Sequence, residues 1–314
     1  MLKYSFYIIY FIFIIFFSYN KTTNSEEITF NLKKIADGVF FHNAILDEPN
    51  KKNQGLIANL GVIIGRESIL VIDAGSSKKL AEKFIKSIKN ISVKPIRYLI
   101  VTHRHFDHSY GIEAFKEINA KIYISKEEFY YFKKDGPRIF QNLVENRGFY
   151  KTNINFENIV EDDVFFLVDE QIIDLGGRKV LIKNFGTAHT KGDLIVYDYK
   201  TKTYFVGDLI FRGRAAAFSD ANIVKWRKKI NYFSKVSWNF IVPGHGKVIK
   251  KTNGLYDTSK WLKFLQDSIE RSIKNGDMIS EIFEYEIPQA INHLKLIKPV
   301  MREGLKRQID ILQE

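Results

Sequence analysis

The chain has no cysteine. That excludes a thiolate-bound structural zinc and any disulfide, so stability must come from a packed core, and any metal must be held through nitrogen and oxygen. Acidic residues are also in short supply, 36 Asp and Glu against 48 Lys and Arg, and the formal net charge is +12. Such a balance favours encounters with anionic substrates, membrane surfaces or nucleic acid. The excess is mostly scattered lysine, with no nucleic-acid module and no basic stripe interleaved with aromatics, so nucleic acid is not an expected partner. Internal repeats and low-complexity linkers are absent as well.

Histidine is scarce, seven residues in 314, yet three of them fall within Thr102-His103-Arg104-His105-Phe106-Asp107-His108. Neutral imidazole is the commonest metal ligand at physiological pH, and a neighbouring carboxylate adds charge to hold a divalent ion. The stretch follows the apolar run Ile96 to Val101, so it reads as a loop at a strand end. There, His-x-His presents two rings to one ion, and the next turn can bring Asp107 and His108 to a second. A histidine-rich surface loop is the plainer reading, but further ligands follow in a sensible order. His189 lies in Phe185-Gly186-Thr187-Ala188-His189-Thr190, Asp208 in Val206-Gly207-Asp208, and His245 in Pro243-Gly244-His245-Gly246. Each follows an apolar run and sits among small residues, as expected where backbone and ligand come close.

This ordered set resembles the metallo-β-lactamase superfamily of metallohydrolases, over roughly residues 28 to 275. The resemblance implies an α+β fold, a four-layer αββα sandwich with metals at one edge. It also implies two Zn2+ per chain, one held by His103, His105 and His189, the other by Asp107, His108 and His245, with Asp208 bridging. Aspartate at the bridging position, where the best-known antibiotic-resistance enzymes have cysteine, looks like the general hydrolase branch. Asp73, in Asp73-Ala74-Gly75, would brace the metal loop by hydrogen bonding, or be a plain turn aspartate. Within the superfamily the chain is most similar to exported quinoprotein relay system or sulfur-oxidation-associated zinc metallohydrolases. That likeness is carried by Asn53-Gln54-Gly55-Leu56-Ile57-Ala58-Asn59-Leu60-Gly61, by Leu175-Gly176-Gly177-Arg178, and by the Thr-Ala-His-Thr around His189.

The implied chemistry is hydroxide generated between the ions attacking an ester, thioester, lactone or amide bond of a small molecule, with Asp107 and Asp208 as the catalytic carboxylates. Glyoxalase II-like thioesterase and lactonase activities fit this description. The alternatives are β-lactamase activity proper, or a metal-binding protein without turnover. A diiron redox protein is disfavoured, since no flavodoxin-like domain is appended and no further glutamate ligand follows the motif. Arg212 and Arg214 would stand near the metals, able to clamp a carboxylate, phosphate or sulfur oxyanion, or simply exposed. His42 reads as a structural or rim histidine and His293 as a surface one.

Residues 1–20 carry one lysine and then an apolar, aromatic run from Tyr4 to Tyr19, the pattern of a secretory signal, or of an uncleaved membrane anchor. A periplasmic or secreted protein is therefore expected, membrane-anchored in the alternative, with a catalytic domain over 28–275 and a helical extension over 276–314. Paired strands are expected over Leu56 to Ile64 and Ser68 to Ile72, and helices over Lys78 to Asn90, Tyr110 to Ile118, Asn222 to Lys235 and Leu255 to Lys274. The aromatic-rich stretch Lys126 to Asp163 reads either as a lid or substrate wall, or as a helical pair packing its own cluster.

Overall fold

The computed structural model describes residues 28–151 and 153–313. The expected signal or anchor, residues 1–20, lies outside them. Among the described residues no helix is long and apolar enough to cross a membrane.

Sheet A has seven strands in chain order, β1 (Leu32–Ala36), β2 (Val39–His42), β3 (Leu60–Ile64), β4 (Ile69–Ile72), β5 (Ile96–Ile100), β6 (Lys121–Ile124) and β7 (Val164–Phe166). Pairing is antiparallel up to β4 and parallel from β4 to β7. Sheet B has five, β8 (Glu170–Asp174), β9 (Lys179–Gly186), β10 (Asp193–Asp198), β11 (Thr203–Phe205) and β12 (Phe240–Val242), ordered β12-β11-β10-β9-β8. Alternation along the strands sorts side chains to two faces. Leu70 and Ile72 of β4 join Val180, Ile182, Val196 and Phe205 in the core between the sheets, while Ile69 and Val71 face the helices.

Helices cover both outer faces. Outside sheet A lie α1 (Lys78–Lys89), α2 (Phe106–Ser109), α3 (Ile112–Glu117) and α4 (Lys126–Arg147). Outside sheet B lie α5 (Ile223–Ile230) and α6 (Tyr256–Asn275), followed by α7 (Ile279–Ile282) and α8 (Ile297–Gln313). In α1 the Ser77 hydroxyl caps Leu80 N, and Leu80, Ala81, Phe84, Ile85 and Ile88 form its buried stripe. Each large apolar side chain so buried contributes about 1.5–3 kcal/mol. The four-layer αββα sandwich is therefore as expected.

Four local expectations need correction. Only the last five residues of Leu56 to Ile64 are strand; residues before it turn, because their backbone and side chains serve the metal loops. Of the expected helix Tyr110 to Ile118 only Ile112–Glu117 is helical; Tyr110 ends the preceding short helix, Phe106–Ser109, and Gly111 separates the two. Lys126 to Asp163 is one 22-residue helix and two 3-10 turns, not a helical pair. Part of its aromatics are core, Phe132, Phe140 and Phe156 packing edge to face on Tyr110 of the preceding segment, while Tyr130 and Tyr150 are exposed. The helix expected over Asn222 to Lys235 ends at Ile230 and tightens into a 3-10 turn.

Candidate metal centre

The candidate ligands stand at the C-terminal ends of strands from both sheets. The loop after β5 carries His103 and His105, α2 directly after it carries Asp107 and His108, the β9–β10 turn carries His189, and the segments after β11 and β12 carry Asp208 and His245. The structure brings all seven together. His103, His105, His189 and Asp208 form one group, and Asp107, His108 and His245 a second, with each group's donor atoms within 4.8 Å of one another. Asp208 stands between them. Its Oδ2 is 3.3 Å from His189 Nε2 and 3.8 Å from His103 Nε2, and its Oδ1 is 3.2 Å from His108 Nε2 and 3.3 Å from His245 Nε2. Asp107 Oδ2 lies 3.4 Å from His245 Nε2 and 3.8 Å from His108 Nε2.

Two glycines permit this approach. A Cβ on Gly244 would run into Asp208 Oδ1 and the Gly207 backbone, and Gly207 holds a φ of +49° against Thr102.

Most rings are turned by a partner on their far side. His108 Nδ1 donates to Asp73 Oδ2 at 2.7 Å, His245 Nδ1 to Ile57 O at 2.8 Å, and His105 Nε2 to Asp220 Oδ2 at 3.0 Å. Thr102 Oγ1 donates to Asp73 and so accepts from His103 Nδ1 at 3.1 Å. His189 is packed against Trp226 and Phe211, and its Nδ1 has no hydrogen-bond partner among the described residues. With those protons assigned outward, the inward nitrogens present lone pairs to one another: His105 Nδ1 is 3.1 Å from His103 Nε2 and 3.0 Å from His189 Nε2. His108 Nε2 and Asp208 Oδ1 are buried without a hydrogen-bond partner. Converging lone pairs and orphaned buried acceptors demand cations, so the donor set fits two metal ions.

For His103 and His189 electrostatics point the same way. Burial, with repulsion from the neighbouring histidines, holds His103 far below the usual imidazole value, and burial lowers His189 to about 3. Both are thus neutral, the state that binds metal. Burial resists charge on His108 too, but Asp208, Asp73 and Asp107 outweigh it and lift its pKa well above the ordinary value. Burial likewise opposes ionisation of Asp208, and His245 and His108 overcome it, holding the carboxyl well below the carboxylate range.

Several residues matter here in roles that the sequence does not announce. Glu128, fully buried in the first turn of α4, accepts from Arg104 N and Nη1 and from Lys191 N and Gly192 N, tying the His105 loop to the His189 turn. Arg104 also pairs with Asp220 at 2.8 Å. Asp193 accepts from Thr190 N and Oγ1; burial and then Glu128 push its carboxyl up to about 7. Asn59 donates to Pro243 O and Gly246 O and accepts from Ala44 N, holding the His245 turn. Of the residues expected near the site, Asp73 is the brace described. His42 packs on Phe30 away from both clusters, and His293 is exposed. Arg214 is buried over the Phe211 ring, 5.7 Å away, with no carboxylate in ion-pair range among the described residues. Arg212 is half-buried and donates to Val248 O.

Fold and donor set together define a metal-binding αββα protein of the metallohydrolase type. The profile of the Metallo-beta-lactamase superfamily matches residues 54–245, and the chain belongs to that superfamily. It is 21% identical over 220 residues to metallo-beta-lactamase IND-1 of Chryseobacterium indologenes, covering 64% of this chain and 82% of that one. Acyl-coenzyme A thioesterase MBLAC2 of Bos taurus is 22% identical over 206 residues, 58% of this chain and 66% of its own. Among solved structures, the metallo-beta-lactamase from Pontibacter korlensis matches with a TM-score of 0.58 at 19% identity, over 75% of this chain and 99% of that one.

Proposed function

We propose that the protein is a dinuclear zinc hydrolase acting on an ester, thioester, lactone or amide bond of a small molecule. The observation that carries this is Asp208, one carboxylate whose two oxygens face two separate groups of histidines. The nitrogen-rich, sulfur-free donors suit zinc. Two such ions supply Lewis acidity and a water whose pKa falls to around 7. The chain's own part is to fix geometry and move protons. Asp73, Asp220 and the Ile57 carbonyl hold the rings in one orientation and one tautomer. Asp107 is the carboxylate that takes up a proton at the reacting centre, and Asp208 holds the two groups of histidines to one another. Arg214, a buried guanidinium without a carboxylate partner among the described residues, orients an anionic substrate.

Thioesters and lactams come first among substrates, because relatives bear the names of a thioesterase and of lactamases. Kinship with the quinoprotein relay or sulfur-oxidation group rests on sequence motifs alone, and two of these have structural work here. Asn59 braces the His245 turn, and Arg178 makes a two-pronged bond to Asp198 while donating to Ile64 O and Asp37 O across the sheets. The test is metal analysis by mass spectrometry with a panel of chromogenic lactam, lactone and thioester substrates. Two metal equivalents and turnover of at least one substrate are expected, with Asp208→Ala losing metal and at least about a hundredfold in activity. Turnover that survives Asp208→Ala would overturn the reading; a loaded but inert protein would favour the metal binder. We also propose export directed by residues 1–20, tested by fractionating cells that produce the full chain and one lacking them.

A further inference from the structure

Beside the metal centre the surface opens into a cleft of about 400 Å³. Five separated segments line it, the apolar one being Leu46 after β2. Arg212 and Gly213 follow the bridging Asp208, Lys247 follows His245, Asp257 begins α6, and His293 comes from the C-terminal extension. None of the seven candidate ligands lines it, yet it is next to them: Arg212 N donates to the carbonyl of His245 at 3.0 Å. Its charges are arranged unequally. The acid is already engaged, since Asp257 Oδ2 accepts from Gly213 N at 3.2 Å and Oδ1 lies 3.4 Å from His293 Nε2. The cations are not. Arg212 is pinned through Nη1 to Val248 O at 3.0 Å and has no carboxylate partner, and Lys247 forms no ion pair, among the described residues. A half-buried guanidinium, held in place with donors left over beside a second free cation in a concave site, is what an oxyanion requires.

We propose that this cleft is a second binding site, for a phosphate- or carboxylate-type oxyanion, held by Arg212 and Lys247 beside the metal centre. The anion is either the charged end of the substrate or a free ion. Only the first of these rests on the hydrolase reading.

The test follows the His293 ring by NMR in the metal-loaded full chain, its signal assigned from His293→Gln, as inorganic phosphate is added at constant pH and ionic strength. A saturable shift is expected. In the Arg212→Gln/Lys247→Gln double variant its dissociation constant should rise at least tenfold, with metal content and melting temperature matching the parent. Absence of a saturable shift, or the same constant in the double variant, overturns the site. So does phosphate that moves the ligand imidazoles and leaves His293 in place. This readout needs no turnover, so its failure is separate from failure of the hydrolase reading. The occupant is then told from kcat/KM for paired ester substrates with neutral and anionic tails. A preference for the anionic tail that collapses in the double variant identifies the substrate's own end. A His293 shift without any such preference identifies a free anion.

Discussion

Asp73 holds a φ of +63°, a conformation non-glycine residues seldom adopt, at a cost of about 1–3 kcal/mol. It is kept there by three bonds to its carboxylate, from Thr102 N, Thr102 Oγ1 and His108 Nδ1. Asparagine tolerates that backbone but has one accepting oxygen, so Asp73→Asn should fold and lose about 10- to 100-fold in metal affinity. Competition with a chromophoric chelator measures this, and unchanged affinity would show that the brace is idle. His42 makes a prediction about stability. Burial lowers its pKa from 6.5 to about 4, so between those values the unfolded chain binds a proton the folded chain refuses. Its contribution is complete above pH 6.5 and is lost as pH falls toward 4. Replacing it in His42→Phe should reduce the loss of stability between about pH 7 and pH 4 by on the order of 2–3 kcal/mol, read from urea denaturation at both pH values.

At the scale of elements, the centre depends on contacts between loops that are remote in sequence. Glu128 on α4 receives bonds from both the β5 loop and the β9–β10 turn. Glu128→Ala should cost about 3–5 kcal/mol, because it leaves Arg104 buried with only Asp220 as counter-ion; thermal denaturation of the metal-free chain gives the figure. The seven candidate ligands could be read from the sequence because ligand chemistry concentrates rare residue types at strand ends. Glu128 and Asp220 could not, and Arg104 and Asn59 stood in motifs read from the sequence without their roles, since each is an ordinary polar residue whose role arises only when distant segments meet. The break between α2 and α3 was equally hidden. The apolar spacing runs on through Gly111, and only in the fold do the Ala74 carbonyl and Ala81 side chain crowd that position so closely that no side chain fits.

Across the whole molecule, Ile63 and Ile72 of sheet A share one core with Ile182 and Phe205 of sheet B, and the candidate ligands span the same junction at its edge. Metal that binds the folded chain and not the unfolded one adds RT ln(1 + [L]/Kd) to stability, about 4 kcal/mol at a thousandfold excess over Kd. Chelation should therefore lower the melting temperature by several degrees and restore it on adding back zinc, as differential scanning calorimetry can follow. An unchanged melting curve would mean that the two groups of side chains hold no ions. The order of the ligands along the chain has a consequence for biogenesis. His103, His105, Asp107 and His108 are synthesised early, whereas His189, Asp208 and His245 arrive only as sheet B is completed. A chain still attached to the ribosome short of β11 lacks Asp208, and one short of β12 lacks His245, so the pair of groups cannot close before the last strand is made. Uptake of metal by the complete donor set is then a late step, open only to a chain extended past residue 245.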